Sequence, residues 1–478
     1  MEKVTRRTKI VATLGPASAE RIPELIEAGV DVFRLNFSHG TPEFHKQCIR
    51  IIREASGGSG RAVGILQDLQ GPKIRIGDLE RNEPVSLEAN QAVRITTDTV
   101  TGTAERLSTT YEHLPQDVRP GDDILLDDGR IQLVAQSVEG NDVVSEVVVG
   151  GLLRPHKGIN LPRTPLSAPS LTEKDYEDLR LGLDAGVDFV GLSFVRRASD
   201  IEAVREEARQ CNPEGNVFVI AKIERVEAVE NLDEIVHAAD GIMVARGDLG
   251  VETSAAEVPI LQKRILNIAG RHAKVDITAT QMLETMVRNP QPSRAEATDI
   301  ANAVFDGTDA VMLSAETAIG DYPVQSVRMM SNILSEADAH FEEFARAGVR
   351  APGDHANTVA DAVVRAAHSA AKEVEAKAVA VFTLSGRTAF MLSGLRPQCP
   401  MFAFTPHETT FRRLALAWGV RPIRTEMMHE PGEMIALLNR AAIDGGFLSV
   451  GDRVVLVAGT QMNVGSTNIV RVHEIESP

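Results

Sequence analysis

One lysine and two carboxylates stand close together near the middle of the chain, in segments that have the pattern of consecutive strands. Lys222 and Glu224 flank Ile223, and Asp248 ends the next apolar segment, 241–248. Alternate residues of a strand point to the same side, and neighbouring strands lie about 4.8 Å apart. Two carboxylates at that separation suit one Mg²⁺ ion, which keeps several waters and also takes substrate oxygens. An ion pair between the lysine and the glutamate without a metal is the alternative, and the lack of a His or Cys cluster argues against zinc.

Positively charged and hydroxyl side chains are expected beside this carboxylate pair. Arg34, Lys73 and Arg75 supply cations, and Gly247 is a position at which a ligand can approach the backbone closely. Cations and a magnesium site are the parts that phosphoryl transfer needs, because that reaction is catalysed mainly by positioning and charge stabilisation. Thr280 adds a hydroxyl from which a proton can be delivered, although a core threonine explains its position equally well.

Eight apolar segments, each followed by a helical pattern, are expected to carry these side chains. The predicted strands are 9–15, 30–38, 62–69, 188–195, 216–224, 241–248, 275–280 and 310–316. Near-continuous apolar strands that alternate with helices indicate an α/β fold with a parallel sheet buried on both faces. Eight of them suggest closure into a (β/α)8 TIM barrel, with a doubly wound open sheet as the alternative.

Polar residues gather where these strands end, which is the edge at which barrel enzymes have their active sites. Helix capping would explain one or two of them, but seven of the eight strands end in this way. The pattern therefore predicts a functional site at the carboxyl rim. Its candidate residues are Asn36, Ser38, Asp68, Ser193, Lys222, Glu224, Arg246, Asp248, Thr280, Ser314 and Glu316.

Two further units are expected outside the barrel, which we assign to residues 1–72 and 164–345. Residues 73–163 show short alternating runs separated by Gly-Asp and Asp-Gly turns, which predicts an all-β insert, a small barrel that acts as a lid. After a linker at 347–354, helices and strands alternate again, which indicates a C-terminal α/β unit over 346–478.

Composition narrows the classes of function. The chain has 478 residues and a net charge of −17, which argues against nucleic acid or an anionic membrane as partner. Its basic start leads into a strand pattern without an apolar signal region, and no run of about 18 apolar residues is present. Three widely spaced cysteines, Cys48, Cys211 and Cys399, are typical of reduced thiols in a cytoplasmic protein.

Several stretches closely resemble the pyruvate kinase family, in order along nearly the whole chain. They are KIVATLGPAS, FRLNFSHG, DLQGPKIRIG, KGINLP, AKIE, MVARGDLG, TATQMLETM, RAEATDIANAVFDGTDAVMLSAETAIG and SGRTA. The resemblance implies a barrel with an inserted β lid and a C-terminal α/β domain. It also implies transfer of the phosphoryl group of phosphoenolpyruvate to ADP, giving ATP and pyruvate.

The same resemblance implies a role for each matching residue. Arg34 and Lys222 would hold the transferring phosphate, and Glu224 and Asp248 would bind Mg²⁺ or Mn²⁺. The substrate carboxylate would be held by Gly247, Asp248 and Thr280. The nucleotide side would comprise Arg34, Asn36, His39, Arg75 and Lys174. The proton relay that converts enolpyruvate to pyruvate would comprise Thr280, Ser314 and Glu316.

One residue departs from the pattern of many family members. Lys73 stands where they carry a glutamate that accompanies a bound potassium ion, and members with lysine there typically do not need potassium. An ammonium group can supply covalently the charge that a monovalent cation would bring. We therefore expect activity without potassium, although Asn36, Ser38 and Asp68 still match positions of a potassium site.

A loop in the C-terminal unit matches the family's effector phosphate loop. Its residues are Thr383, Ser385, Gly386, Arg387 and Thr388. Hydroxyls and a glycine before a helix can bind a phosphate, which predicts activation by a phosphorylated metabolite, while an ordinary strand-to-helix turn is the alternative. Two later stretches either complete the pocket or form a surface hairpin: Gly459-Thr460 and Gly465 to Asn468.

Three broader expectations accompany the resemblance. By analogy with the family, the chain forms a homotetramer. A magnesium-dependent barrel lyase that acts on a pyruvate enolate would explain the carboxylates but not the lid or the phosphate-binding cations. A non-catalytic sensor that keeps effector binding is disfavoured because every expected site residue is present.

Overall fold

The chain begins with three short strands that alternate with helices, in the order that the apolar pattern predicts. The structure is a computed structural model that describes residues 6–213, 215–345, 358–428, 431–459 and 465–477. The first elements are β1 Lys9–Thr13, α1 Ile22–Ala28, β2 Val32–Asn36, α2 Pro42–Ser59 and β3 Gly64–Asp68. Helix α2 begins at Pro42 because Thr41 Oγ1 accepts the backbone N–H of Phe44 and proline fits the first helical position.

An almost entirely β insert follows β3. Its strands are β4 Val85–Leu87, β5 Ala92–Thr96, β6 Arg106–Ser108, β7 Asp123–Leu126, β8 Ile131–Glu139, β9 Asp142–Val149, β10 Gly151–Leu153 and β11 Ile159–Asn160. Its helical parts are α3 Leu114–Asp117 and a 3-10 turn at Glu80–Asn82. Strands β11, β7, β8, β9, β5 and β6 form one sheet in that order, and β10 pairs with β4.

In this insert, isolated bridges rather than a regular strand connect the two edges of the six-stranded sheet, which is how the predicted small barrel closes. Arg75 bridges Gly158 beside β11, and Ile76 bridges Thr109 beside β6. Arg75 and Ile76 therefore form one bridge to each edge of the sheet, which is too few to make a paired strand. Gly77 permits the approach, since a Cβ there would lie 2.2 Å from the Ser108 hydroxyl.

Five more strands complete the sheet that β1, β2 and β3 begin. They are β12 Phe189–Leu192, β13 Val219–Ile223, β14 Gly241–Ala245, β15 Val275–Ala279 and β16 Ala310–Leu313. The helices of this stretch are α4 Glu173–Asp184, α5 Ala198–Cys211, α6 Val226–Glu230, α7 Leu232–Ala238, α8 Arg246–Glu252, α9 Val258–Arg271, α10 Arg294–Phe305, α11 Ala315–Ala318, α12 Pro323–Ala339 and α13 Phe341–Phe344.

These eight strands close into a parallel barrel, which confirms the predicted TIM-barrel class and rejects the open sheet. The order around the barrel is β1, β16, β15, β14, β13, β12, β3, β2, and β2 pairs again with β1. Apolar side chains from all eight strands fill the interior, among them Val11, Leu66, Phe189, Ile220 and Met243. The barrel is therefore a packed core that presents its carboxyl rim as the place for polar groups.

All eight predicted strands end earlier than the sequence pattern suggests, and at two of them the difference moves a candidate residue into a helix. The strand predicted at 241–248 stops at Ala245, and helix α8 begins at Arg246. The strand predicted at 310–316 stops at Leu313, after which Ser314 precedes helix α11. Asp248 and Glu316 thus lie in the first turns of short helices, because the apolar run alone does not show where the backbone leaves the ladder.

The C-terminal unit is a second α/β layer. Its elements are α14 Val359–Glu373, β17 Ala378–Phe382, α15 Arg387–Gly394, β18 Met401–Thr405, α16 Glu408–Arg413, β19 Val420–Arg424, α17 Pro431–Asp444, β20 Arg453–Gly459 and β21 Thr467–Glu474. The strand order is β19, β18, β17, β20, β21, with β21 antiparallel to β20. The predicted linker at 347–354 lies outside the described residues. Within the described ranges, no helix has the length and apolar character needed to cross a membrane.

Candidate active site

The side chain of Lys222 is the centre of a buried polar cluster at the carboxyl rim. Lys222 is 9% exposed, and its Nζ donates a hydrogen bond of 2.7 Å to Ser193 Oγ. The same Nζ lies 2.8 Å from Glu224 Oε1 and 3.2 Å from Asp68 Oδ1. Burial opposes a charged ammonium, but the two carboxylates outweigh it and raise the pKa of Lys222. The lysine therefore holds its positive charge inside the protein.

Arg34 adds a second cation to the cluster through Asp68. Its guanidinium lies 2.6 Å from Asp68 Oδ2, and its NH1 donates to Thr13 Oγ1 at 3.1 Å. Burial opposes ionisation of Asp68, but Lys222 and Arg34 lower the pKa of this carboxyl. The register of the barrel explains the contact, since Asn36 of β2 pairs with Asp68 of β3 and Arg34 stands two residues earlier on the same side.

Glu224 and Asp248, the carboxylates that the sequence analysis assigns to the divalent ion, lie close enough for their charges to interact. Glu224 follows β13 and is 1% exposed, and its Oε2 accepts the backbone N–H of Phe194 at 2.7 Å. Burial raises the pKa of Glu224, and the nearby charge of Asp248 raises it further, against the effect of Lys222. A divalent cation shared by two hard carboxylate oxygens would relieve this repulsion, so the donor set fits Mg²⁺ or Mn²⁺. No group of three or more His, Cys, Asp or Glu side chains arranged for a metal occurs in the parts of the chain described above.

A small cavity of about 30 Å³ separates the insert from the barrel beside Asp248. Lys73 lines this cavity, together with Arg225 and Glu252, which the sequence analysis did not single out. Asn160 of β11 donates to Glu252 Oε1 at 3.2 Å and so links the insert to α8. Glu252 follows Asp248 by one helical turn, a spacing that places both on one face of a helix and could have identified it.

Thr280 and Gly247 contact each other directly at the rim. Thr280 has a left-handed backbone, with φ of +69°, and its Oγ1 accepts the Gly247 N–H at 2.9 Å. Arg246, a candidate in the sequence analysis, instead turns away to Asp299 at 2.7 Å and to the carbonyl of Thr280 at 2.6 Å. Arg246 therefore supports the loop that positions Thr280.

Ser314 and Glu316 lie where strand β16 ends and helix α11 begins. The Glu316 carboxylate is completely buried and accepts the backbone N–H groups of Leu283 at 3.0 Å and Ser314 at 2.6 Å. Burial raises the pKa of Glu316 despite these hydrogen bonds. The Ser314 hydroxyl is buried and has no hydrogen-bond partner among the described residues. An unpartnered hydroxyl beside a carboxyl that favours its neutral form is suited to moving a proton.

Two of the predicted nucleotide residues contact each other through the backbone, since the His39 N–H donates to the Asn36 carbonyl at 3.1 Å. Asn36 Oδ1 accepts the backbone N–H of Ser38 at 3.1 Å. Lys174 Nζ donates to the carbonyl of Phe37 at 2.8 Å, and Arg75 NH1 donates to the carbonyl of His156 at 2.9 Å. Burial, followed by the charges of Arg75, Lys73 and Arg34, lowers the pKa of the His39 imidazole. The charges of Arg75 and Arg34 therefore reach the His39 imidazole through space.

Comparison with known proteins shows the family to which a chain with this site belongs. The model of the pyruvate kinase barrel domain matches residues 5–327, and that of the pyruvate kinase alpha/beta domain matches residues 361–473. The chain belongs to the pyruvate kinase family. The pyruvate kinase of Corynebacterium glutamicum is 47% identical over 477 residues, which cover 98% of this chain and 97% of the relative.

Other pyruvate kinases agree in sequence and in structure. That of Mycobacterium tuberculosis strain H37Rv is 45% identical over 476 residues, 99% of each chain. The crystal structure of a pyruvate kinase from Cryptosporidium parvum superimposes with a TM-score of 0.91 at 33% identity, covering 99% of this chain and 97% of that one. The chain is thus a phosphotransferase that forms ATP and pyruvate from phosphoenolpyruvate and ADP. Pyruvate kinases use a divalent metal ion in this reaction.

A second cleft, of about 330 Å³, lies in the C-terminal unit. Thr383 Oγ1 accepts the Gly386 N–H at 3.0 Å, and Gly386 has φ of +84° where α15 begins. Thr388 and Thr467 hydroxyls lie 2.6 Å apart across the cleft. The lining includes all the predicted loop residues except Gly386, together with Gly459, Gly465 and Ser466, whereas Thr460 lies outside the described residues.

Proposed function

We propose that Lys222 and Arg34 hold the transferring phosphoryl group at the carboxyl rim of the barrel. The observation that carries this assignment is a buried ammonium between Asp68 and Glu224, with the Arg34 guanidinium on the far oxygen of Asp68. A buried, fixed positive charge stabilises the negative charge that moves between the two oxygens during transfer. Both cations belong to rigid strands, so they need little reorganisation when substrate binds.

Glu224 and Asp248 would hold the divalent ion, Mg²⁺ or Mn²⁺, beside these cations. When bound, the ion supplies charge stabilisation and a template for substrate oxygens. The backbone amides of Gly247 and Asp248, with the Thr280 hydroxyl, would take the substrate carboxylate. The 2.9 Å contact between the Gly247 N–H and Thr280 Oγ1 keeps two of these groups at one place before substrate arrives.

The conversion of enolpyruvate to pyruvate needs a proton, which we assign to Thr280, Ser314 and Glu316. Burial favours the protonated form of Glu316, and the Ser314 hydroxyl has a free hydrogen-bonding capacity within the described residues. ADP would lie on the side of the rim that carries Arg34, Asn36, His39, Arg75 and Lys174. These positions supply the positive charge that a diphosphate requires.

Potassium is not required in this proposal. Lys73 lines the cavity beside Asp248, and its ammonium would supply the positive charge that an added cation would otherwise bring to the substrate. Lys222 and Arg34 already neutralise the charge of Asp68. The three positions that match a potassium site, Asn36, Ser38 and Asp68, would therefore hold a monovalent ion weakly at most.

The cleft at Thr383–Thr388 would bind a phosphorylated effector. Hydroxyls of Thr383, Ser385 and Thr388, the Arg387 side chain and the start of α15 surround it.

We further propose the division into a barrel at 1–72 and 164–345, an insert at 73–163 and a C-terminal unit at 346–478. A homotetramer in the cytoplasm completes the proposal; the three cysteines are free thiols, as a reducing compartment requires.

The decisive experiment measures pyruvate formation from phosphoenolpyruvate and ADP with Mg²⁺, in sodium buffer and then with potassium added. Full activity in sodium would support both the rim assignment and the Lys73 hypothesis. Activity that rises many-fold with potassium would reject the Lys73 hypothesis alone. No turnover in either buffer, even with sugar phosphates present, would reject the proposed active site.

A further inference from the structure

The hydroxyl of Ser193 connects Lys222 to the backbone at the entry to the insert. Ser193 follows β12 and is 2% exposed. Its Oγ lies 2.7 Å from Lys222 Nζ and 2.7 Å from the carbonyl oxygen of Leu69. No role proposed above uses this serine.

The chemistry of the two neighbours sets the direction of both hydrogen bonds. A carbonyl oxygen only accepts, so the single hydroxyl proton of Ser193 goes to Leu69. The Ser193 oxygen then accepts an N–H of the Lys222 ammonium. Asp68 Oδ1, at 3.5 Å from Ser193 Oγ, is too distant to compete for the hydroxyl proton.

The acceptor at Leu69 is itself held in place. Its N–H donates to the carbonyl of Gly191 at 3.0 Å, which continues the pairing of β3 with β12. Gly71 packs against the same serine, since a Cβ at Gly71 would lie 3.2 Å from Ser193 Cβ and 2.9 Å from the Phe194 ring. Ser193 therefore fixes the ammonium against rigid backbone.

We propose that Ser193 is a positioning residue for phosphoryl transfer. Together with Glu224, it holds two N–H groups of Lys222, so that the third, now directed to Asp68, is the one that turns to the transferring phosphate. The Asp68 contact is the longest of the three, 3.2 Å against 2.7 and 2.8 Å. Asp68 also keeps Arg34 at 2.6 Å when Lys222 leaves it. This inference rests on the phosphate-binding role proposed for Lys222.

The test compares Ser193→Ala with Ser326→Ala in steady-state assays of the whole enzyme. Ser326 is a matched control, because it is completely buried in α12 and donates to the carbonyl of Tyr322, just before that helix, at 2.9 Å. Loss of a hydrogen bond to a charged group predicts that kcat falls about 10- to 100-fold in Ser193→Ala. The KM for ADP should stay within about twofold, and Ser326→Ala should keep the wild-type kcat. If Ser193→Ala does not fold, Ser193→Cys replaces it, since a thiol is a weak acceptor.

A double-mutant cycle separates positioning from a merely structural role. Ser193→Ala should add almost nothing to the loss caused by Lys222→Met, because its effect passes through that lysine. An equal further loss in the Lys222→Met background would overturn the inference, as would a normal kcat in folded Ser193→Ala. If Lys222→Met itself keeps its activity, the proposed role of Lys222 fails; if Lys222→Met is inactive and Ser193→Ala is normal, the Ser193 inference alone fails.

Discussion

Asp188 and Arg412 join the base of the barrel to the C-terminal unit through an ion pair of 2.7 Å. The Asp188 carboxylate stands just before β12 and is completely buried, and it also pairs with Arg53 at 2.7 Å. Arg412 belongs to α16, where Thr410 Oγ1 donates to the carbonyl of Leu384 at 2.6 Å. One short helix therefore contacts both the proposed effector loop and the strand that leads to Ser193.

Replacing Asp188 should destabilise the protein more than replacing Arg412. Asp188→Asn leaves two guanidinium groups without their shared carboxylate, and breaking a buried pair in this way costs about 3–5 kcal/mol of unfolding free energy. Arg412→Met leaves Asp188 with Arg53, so about 1–2 kcal/mol is expected. Urea unfolding measures the loss of unfolding free energy in both variants.

Arg424→Met is the control, because Arg424 pairs with Glu408 on the exposed face. This substitution should cost less than about 1 kcal/mol. A larger loss for Arg412→Met than for Asp188→Asn would contradict this ranking.

Lys222→Met should lose about 10³-fold or more in kcat, because it removes the buried charge that stabilises the transferring phosphoryl group. The assay is turnover of phosphoenolpyruvate and ADP, with circular dichroism as a check of folding. Lys274→Met is the control: this lysine donates to the carbonyl of Ala239 at 2.6 Å, before β15 at the opposite end of the barrel. A folded Lys222→Met variant with less than about a tenfold loss would exclude the role.

Lys73→Glu should create a requirement for potassium. The substitution replaces Lys73, which lines the cavity beside Asp248, by a residue that carries a carboxylate in place of an ammonium. Potassium is expected to raise the activity of the variant at least about tenfold, equivalent to about 1.4 kcal/mol, and to change the wild type by less than about twofold. Lys46→Glu, on the exposed side of α2, should behave as the wild type. Equal responses of all three proteins to potassium would refute the charge-substitution hypothesis.

Lys9 should make stability depend on pH in alkaline solution. Burial lowers the pKa of Lys9 from 10.5 to about 8, with Asp31 opposing the shift, and its Nζ donates to the carbonyl of Val420 at 2.8 Å. Between these pH values the unfolded chain binds a proton that the folded protein does not, so stability rises with pH. Below about pH 8 the Lys9 side chain is protonated in both the folded and the unfolded protein, and the free-energy cost of burying its charge is fully present.

The measurement for Lys9 is the difference in unfolding free energy between wild type and Lys9→Met from pH 7 to 10.5. The wild type should gain up to about 3 kcal/mol relative to the variant over the upper part of this range. Lys46→Met, which removes an exposed lysine, supplies the baseline. A difference that stays constant with pH, or that moves in favour of Lys9→Met, would show that the buried lysine is charged throughout.

Much of the architecture follows from local patterns in the sequence. The eight apolar strands, the β insert and the final α/β layer are visible because burial on both faces produces continuous apolar runs, whereas one exposed face produces alternation. Strand ends were harder to predict: Arg246 and Asp248 continue an apolar strand in sequence but begin α8 in the structure. Capping and the first helical turn depend on contacts such as that of Arg246 with Asp299, which a local pattern does not contain.

The sequence by itself determined the barrel class, the family and the types of side chain at the rim. Periodicity and motifs are properties of neighbouring residues, so they can be read along the chain. Only the tertiary structure decided that Asp68 lies between Lys222 and Arg34 and that Ser193 accepts a hydrogen bond from the lysine. It also decided that Asn160 of the insert contacts Glu252 of the barrel. These partners are far apart in sequence, and closure of the barrel brings them within hydrogen-bonding distance.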